Sequence, residues 1–350
     1  MLTIVCDEPG RLSAIQRDKP VRQDGEVLVR LRRIGICGTD IHIFAGNQPY
    51  LSYPRVMGHE LAATVEEAPP RSALKPGDVV SIIPYLSCGA CSACRKGLTN
   101  CCRNLAVLGV HRDGGMTGYL SLPESAVVKA EGLTLDQAAM VEFLAIGAHA
   151  VSRSRVGQGD RALIVGAGPI GAAVAIFARA SGASVTLLDA RADRLAFARD
   201  PLGFTSTVNL GPETRETLET ITDGDLFDVV FDATGSAKAI EHGFGFVGHG
   251  GTYVLVSIVA SDITFSDPEF HKREISLLGS RNATLLDFGR VMQLMRAGEI
   301  PDAIITHRLG LGEVPSLFPD LVRAEAGVFK ALVDVDDKAD RSPSAAGALS

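Results

Sequence analysis

Arg161-Ala-Leu-Ile-Val165-Gly166-Ala-Gly168-Pro-Ile-Gly171 is the stretch on which the fold turns. Its first half reads as a buried strand. The three glycines read as a tight turn, and Pro169 to Ser181 as a helix with proline at its first position. Ser184-Val-Thr-Leu-Leu-Asp189 is a second buried strand, which Asp189 closes 18 residues after Gly171. This arrangement carries a specific chemistry. The first glycine makes the turn, the second lets backbone N–H groups approach a pyrophosphate, and the third lets helix and strand pack closely. The helix N-terminus favours the negative charge. Asp189 would accept hydrogen bonds from a ribose 2′-OH and repel a 2′-phosphate, which favours NAD over NADP. Gly166, Gly168, Pro169, Ile170, Gly171 and Asp189 are therefore the candidate NAD-binding residues. Arg194 joins them as a nearby cation. With Arg191 it argues for NADP, unless both lie on a solvated helix face.

Outward from this core the alternation continues. Ala192 to Arg199 reads as a helix, and Phe227-Asp-Val-Val-Phe-Asp232 and Gly251-Thr-Tyr-Val-Leu-Val-Ser257 read as further strands. Near-continuous apolar strands alternating with helices predict an α/β fold, a doubly wound parallel sheet covered on both faces. Residues 1–145 read mainly as β: Glu26-Val-Leu-Val-Arg-Leu, Ala62-Ala-Thr-Val and Asp78-Val-Val-Ser-Ile-Ile are short apolar runs between Gly and Pro. Asp136 to Ser152 predicts one long helix. After 285 come one amphipathic helix, Asp287 to Arg296, and a last strand, Phe329-Lys-Ala-Leu-Val-Asp-Val, which is expected to pair back into the first domain. The predicted domains are 1–145 with a cysteine lobe at 86–104, a nucleotide-binding domain at 146–285, a return to the first domain at 286–336, and a mobile tail at 337–350.

The 350 residues carry a net charge of −7 and are 46% hydrophobic, an ordinary globular composition. An acidic chain without a basic run argues against nucleic-acid and anionic-membrane partners. The longest uncharged stretch, Ala162 to Ala178, is too short and glycine-rich to span a bilayer. Met1-Leu-Thr-Ile-Val-Cys6 has no basic region before an apolar one, so no export signal is expected and the predicted location is cytoplasmic.

Five of the seven cysteines lie between 88 and 102. Cys88, Cys91, Cys94 and Cys102 have the spacing of a tetrahedral four-thiolate site, and four sulfurs favour zinc. The competing iron–sulfur reading asks for a shorter last gap followed by proline, whereas Arg103 follows here. Four thiolates leave no open position, so this zinc would be structural. Cys101 is the local alternative to Cys102, and Cys6 reads as an ordinary buried thiol.

Three short motifs remain: Gly35-Ile-Cys37-Gly-Thr39-Asp40-Ile-His42, Gly58-His59-Glu60 and Met140-Val-Glu142-Phe. Taken singly, His59 reads equally as a satisfied core histidine and Glu142 as the exposed edge of a helix. Taken together and in order with the cysteine lobe and the glycine turn, over residues 1 to about 336, they resemble the zinc-dependent medium-chain alcohol dehydrogenases. The resemblance implies a GroES-like β-rich catalytic domain, split in sequence around a Rossmann domain, with the active site in the cleft between them and a homodimer or homotetramer as the assembly. It implies Cys37, His59 and Glu142 as ligands of a catalytic zinc, and Glu60 as a neighbouring carboxylate that exchanges onto the metal. It implies Thr39 and His42 as a proton relay. A glutamate as third ligand is similar to the polyol and threonine branch, although Phe143 stands where that branch commonly has proline.

Gly46-Asn-Gln-Pro-Tyr-Leu-Ser-Tyr-Pro54, Ser266-Asp-Pro-Glu-Phe-His-Lys-Arg273 and Gly279-Ser-Arg281-Asn-Ala-Thr284 resemble the bacterial sugar-acid dehydrogenases. The implied activity is oxidation of a secondary hydroxyl of a sugar acid of the L-galactonate or L-gulonate type, with two zinc ions per chain and NAD. A neutral polyol of the sorbitol or galactitol type, or L-threonine, is the alternative substrate. Arg281 is the first candidate for the substrate carboxylate, because a planar guanidinium fork suits carboxylates. Lys272 and Arg273 are second. His111, His249, His271 and His307 carry no assigned role.

Overall fold

The computed structural model describes residues 1–48, 51–323 and 326–335. The expected tail at 337–350, and Pro49 and Tyr50 of the 46–54 segment, lie outside them. The described residues divide into two compact units: those of 1–86, 106–139 and 306–335 form one, and 87–105 with 140–305 form the other.

The first unit is β-rich. It carries β1 (Leu2–Glu8), β2 (Arg11–Gln16), β3 (Glu26–Ile36), β4 (Glu60–Glu67), β5 (Val79–Ile82), β6 (Tyr85–Leu86), β7 (Ala106–Val107), β8 (Tyr119–Pro123) and β9 (Val127–Lys129), with helix α1 (Gly38–Phe44) after β3. Its main sheet is completed from the C-terminal part by β16 (Ile305–Gly310) and β17 (Lys330–Asp334), which flank helix α10 (Val314–Leu321). The order is β16-β17-β3-β4-β5-β9, with β8 also on β3. The last strand does pair back, antiparallel to β3, with Ala331 opposite Ile36 and Leu332 opposite Gly35. Val29, Leu31, Ile34, Leu61, Val80, Phe318 and Val333 are among the side chains that build one core here. β16 and α10 escaped the sequence reading: Ile305-Thr-His-Arg-Leu alternates weakly, and Pro319 lies inside α10.

The second unit holds the doubly wound parallel sheet. Helix α2 (Ser92–Arg95) lies in the cysteine lobe, and α3 (Leu135–Ser154) leads into the sheet. The strands are β10 (Arg161–Val165), β11 (Ser184–Asp189), β12 (Thr207–Asn209), β13 (Phe227–Asp232), β14 (Val247–Leu255) and β15 (Ser276–Gly279). The helices between and after them are α4 (Pro169–Ala180), α5 (Ala192–Arg199), α6 (Thr214–Ile221), α7 (Ala237–Gly243), α8 (Asp267–Lys272) and α9 (Leu285–Arg296). The order is β12-β11-β10-β13-β14-β15, so the winding reverses between β10 and β13. In open α/β sheets that reversal marks the ligand crevice at the strands' C-terminal ends.

Three segments group otherwise than expected. Residues 87–105, 140–145 and 286–305 belong with the parallel-sheet unit, not with the β-rich one. The reason is local: Asn100 of the lobe hydrogen-bonds His149 of α3 and the Arg281 carbonyl, and Asp287 of α9 hydrogen-bonds His149. Among the described residues, no helix is long and apolar enough to cross a membrane.

Candidate active site

In the β-rich unit, Cys37 follows β3 and caps α1. Its Sγ accepts a hydrogen bond from Thr39 N at 3.2 Å, and its own N–H donates to Asp40 Oδ2 at 3.0 Å. The buried Asp40 also accepts from Gly58 N through Oδ1 at 3.1 Å. One carboxylate thus ties the helix cap to the residue before His59. The result is a Cys37 Sγ to His59 Nε2 separation of 3.1 Å, and ligand-type atoms of Cys37, Asp40 and His59 all lie within 4.8 Å of one another. Burial pushes the Cys37 thiol up, and neighbouring His59 pulls it partly back. A soft sulfur and an imidazole nitrogen this close suit zinc. The sequence reading passed over Asp40. Its signal is an acidic residue three positions after the cap, the geometry of a capping box.

Thr39 and His42 lie three apart on α1 and so share a face. His42 is exposed, with Nδ1 at 2.9 Å from Asn47 Oδ1.

Glu60 opens β4 opposite Gly35 of β3. A Cβ at position 35 would fall inside the Glu60 carboxylate, so only glycine leaves room there. Lys330 of β17 reaches the same place. Its ammonium pairs with Glu60 Oε2 and donates to Ile36 O at 3.3 Å, with the two side chains 2% and 1% exposed. Glu60 is therefore held by a buried lysine that the sequence reading missed. The available signal was a lone cation inside the apolar run Phe329 to Val333.

In the other unit, Glu142 sits on α3 and is 4% exposed, which excludes the exposed-edge reading. The glycine turn adopts its expected strand–turn–helix setting. Gly168 caps α4 without a side-chain hydrogen bond, with no heavy atom within 4 Å of where its Cβ would be. Gly171 packs so closely on the Gly166 carbonyl that a Cβ would overlap it. Open space over uncapped N–H groups fits a pyrophosphate. Asp189 is brought to the turn: Oδ2 accepts from Ala167 N at 2.6 Å, and Oδ1 accepts from Arg191 N at 2.8 Å. Arg191 forms a two-pronged pair with Asp193 at 3.1 and 2.6 Å. Burial first, and the charge of Arg191 next, lower the Arg194 pKa.

The lobe cysteines converge. Sγ separations are 3.5 Å for Cys91–Cys94, 3.4 Å for Cys88–Cys102 and 4.0 Å for Cys91–Cys102. Zinc–sulfur bonds of about 2.3 Å at tetrahedral angles would set such edges near 3.8 Å. Backbone N–H groups of Cys94 and Arg103 pull Cys91 down to about 6, and those of Ala90 and Cys91 lower Cys88. Burial and the adjoining thiols push Cys94 up to about 11. Cys101 is exposed and stands outside the group.

Arg281 is exposed in the turn after β15, its carbonyl held by Asn100. Arg273 is otherwise engaged. Its side chain donates to the carbonyls of Phe244 at 3.1 Å and Val247 at 2.9 Å, so as a second carboxylate candidate it is corrected to a structural clamp. Lys272 approaches Glu269 at 3.9 Å on the surface.

Residues 23–132 match the alcohol dehydrogenase GroES-like domain family, and residues 169–297 match the zinc-binding dehydrogenase family. The chain is 42% identical over 314 residues to L-galactonate-5-dehydrogenase of Escherichia coli K12, covering 88% of this chain and 91% of that one. It is 34% identical over 323 residues to D-altritol 5-dehydrogenase of Agrobacterium fabrum, covering 89% and 93%. A crystal structure of an alcohol dehydrogenase from E. coli CFT073 in complex with NADH superimposes with a TM-score of 0.89 at 27% identity, covering 96% of this chain and 99% of that one.

Proposed function

Because the chain belongs to the zinc-type alcohol dehydrogenase family, we propose that it oxidises a secondary hydroxyl of a sugar acid of the L-galactonate type with NAD. The observation that carries the chemistry is the Cys37 Sγ to His59 Nε2 separation of 3.1 Å. The substrate class follows the likeness to 5-dehydrogenases of sugar acids and polyols.

When bound, zinc polarises the hydroxyl and NAD accepts the hydride, so that the alcohol becomes a ketone. The chain's own residues do the rest. Cys37 as thiolate and His59 as neutral imidazole are metal donors, oriented by Asp40. Glu142, buried on α3, is assigned as the third donor on the resemblance of its motif to the glutamate branch of the family. Its charge with that of Cys37 balances a divalent ion. Lys330 pairs with Glu60, so Glu60 would join the metal donors only by leaving that ion pair. Thr39 takes the hydrogen bond of the departing proton, and His42, exposed on the same face, hands it to solvent. Asp189 accepts from the ribose 2′-OH, and Gly166 to Gly171 hold the pyrophosphate. Arg281 pairs with the substrate carboxylate. Cys88, Cys91, Cys94 and Cys102 hold a structural zinc, and a reducing, cytoplasmic setting keeps those thiols available. An assembly of two or four copies accords with the edge position of β15 and its 40% exposed Leu277.

The test is initial rates of NAD reduction with L-galactonate and L-gulonate against galactitol, sorbitol and L-threonine, repeated with NADP. Selectivity for an acid with NAD is expected. Arg281→Leu should then raise KM for the acid about tenfold or more, the effect of losing one charge-assisted pair, and leave a neutral polyol unchanged. Equal effects on both would remove the carboxylate role.

A further inference from the structure

Asn100 lies between Cys94 and Cys102, two residues from the last sulfur of the lobe. It is 2% exposed, and its amide nitrogen donates in two directions: to His149 Nε2 at 3.1 Å and to the Arg281 carbonyl at 2.9 Å. A donor at Nε2 leaves the imidazole proton on Nδ1, which then donates to Asp287 Oδ2 at 2.9 Å. The same carboxylate oxygen accepts from Thr284 N at 2.8 Å and Thr284 Oγ1 at 2.7 Å, which closes the first turn of α9. Ser280 N donates to Leu255 O at 2.9 Å. Segment 280–284 is therefore held at its start by β14, at its end by Asp287, and in the middle by a residue of the cysteine lobe. Asn100, His149 and Asp287 are all buried, and none is used in the reaction described above.

An amide that spends both N–H groups on two separate elements fixes their spacing to hydrogen-bond tolerance. The path of residue 100 in turn follows Cys102, whose sulfur is set by any metal the four thiolates share. We infer that Asn100 is a positioning residue: with His149 and Asp287 it ties the four-cysteine lobe to the Arg281 turn, so that metal in the lobe keeps Arg281 in place for the substrate carboxylate. The effect on turnover rests on the carboxylate role proposed for Arg281; the effect on the turn rests on the hydrogen bonds alone.

The test uses the full-length, zinc-loaded protein and four variants: Asn100→Ala, Arg281→Leu, Cys94→Ser with its zinc content measured, and Asn100→Ala combined with Cys94→Ser. Two readouts are taken: KM and kcat with L-galactonate and with galactitol, and hydrogen exchange of peptides covering 280–284. Asn100→Ala should raise KM for L-galactonate about tenfold, leave kcat and the galactitol KM within about twofold, and speed exchange at 280–284 about tenfold. Cys94→Ser should speed the same exchange, and the double variant no further than either single one, the mark of a shared linkage. Unchanged exchange in Asn100→Ala, or additive effects in the double variant, would overturn the inference. If Arg281→Leu leaves the acid KM unchanged, the carboxylate role fails while the exchange results still decide the tie. If Arg281→Leu raises it and Asn100→Ala changes nothing, the tie fails and the carboxylate role stands. Asn100→Leu keeps the side-chain volume and removes both donors without burying a charge, so it gives the same decision should the alanine variant fold poorly.

Discussion

Replacing Lys330 by methionine keeps the length of the side chain and removes its charge. Glu60, 1% exposed, then holds a carboxylate with its ammonium partner gone, in a place where Gly35 has been kept bare to admit it. Breaking one side of a buried ion pair costs about 3–5 kcal/mol, because the remaining charge stays desolvated. For a unit of this size each kcal/mol moves Tm by roughly 2–4 °C, so Lys330→Met should lower the unfolding temperature of the β-rich unit by about 6–20 °C. Lys330→Met with Glu60→Met removes both charges and should recover most of that loss, since an apolar pair of similar volume often replaces a buried ion pair at little cost. The assay is thermal and urea unfolding of the wild type, the two single variants and the double one, at equal zinc content and neutral pH. A Lys330→Met protein within about 1 kcal/mol of wild type, or a double variant no more stable than the singles, would refute the reasoning. Gly35→Ala makes the same point sterically: its methyl displaces the Glu60 carboxylate, with an expected loss of about 1–3 kcal/mol.

Asp189→Ala removes the acceptor of Ala167 N and the acceptor proposed for the ribose, and should raise KM for NAD by about 10–100-fold while improving the relative use of NADP; an unchanged NADP-to-NAD ratio would refute the proposed role. Cys102→Ser should lower metal content by one zinc per chain, while Cys101→Ser leaves it unchanged, as plasma emission would show. Burial raises the Asp287 carboxyl, but hydrogen bonds from His149 and Thr284 more than offset this and hold it below its ordinary value of 3.8. A depressed folded value contributes stability above the unfolded value that is lost as pH falls through the folded one. Asp287→Asn should therefore flatten the fall in stability below about pH 4, and an identical acid profile would count against the bond network.

The parallel sheet was legible because its strands are buried on both faces and its helices are punctuated by glycine and proline. Local pattern alone therefore separates Arg161–Val165 from Pro169–Ala180. The cysteine lobe was legible from spacing, since four cysteines within a short loop can converge on one ion with little chain to arrange. Single letters such as His59 and Glu142 had no such local signature, and became a set only through their order along the chain.

What the sequence by itself determined is the alternation of elements, the glycine turn with Asp189 at the end of the next strand, and the four-cysteine spacing, all of which depend on residues within about 20 positions of one another. What only the tertiary structure decided is which distant groups meet. Lys330 reaches Glu60 across the bare Gly35 of the strand between them. Asp40 draws Cys37 to the Gly58–His59 corner. Asn100 bridges a lobe, a helix and a turn some 181 residues away. Those contacts are set by strand order and register, and register is a property of the whole sheet that no short window of sequence contains.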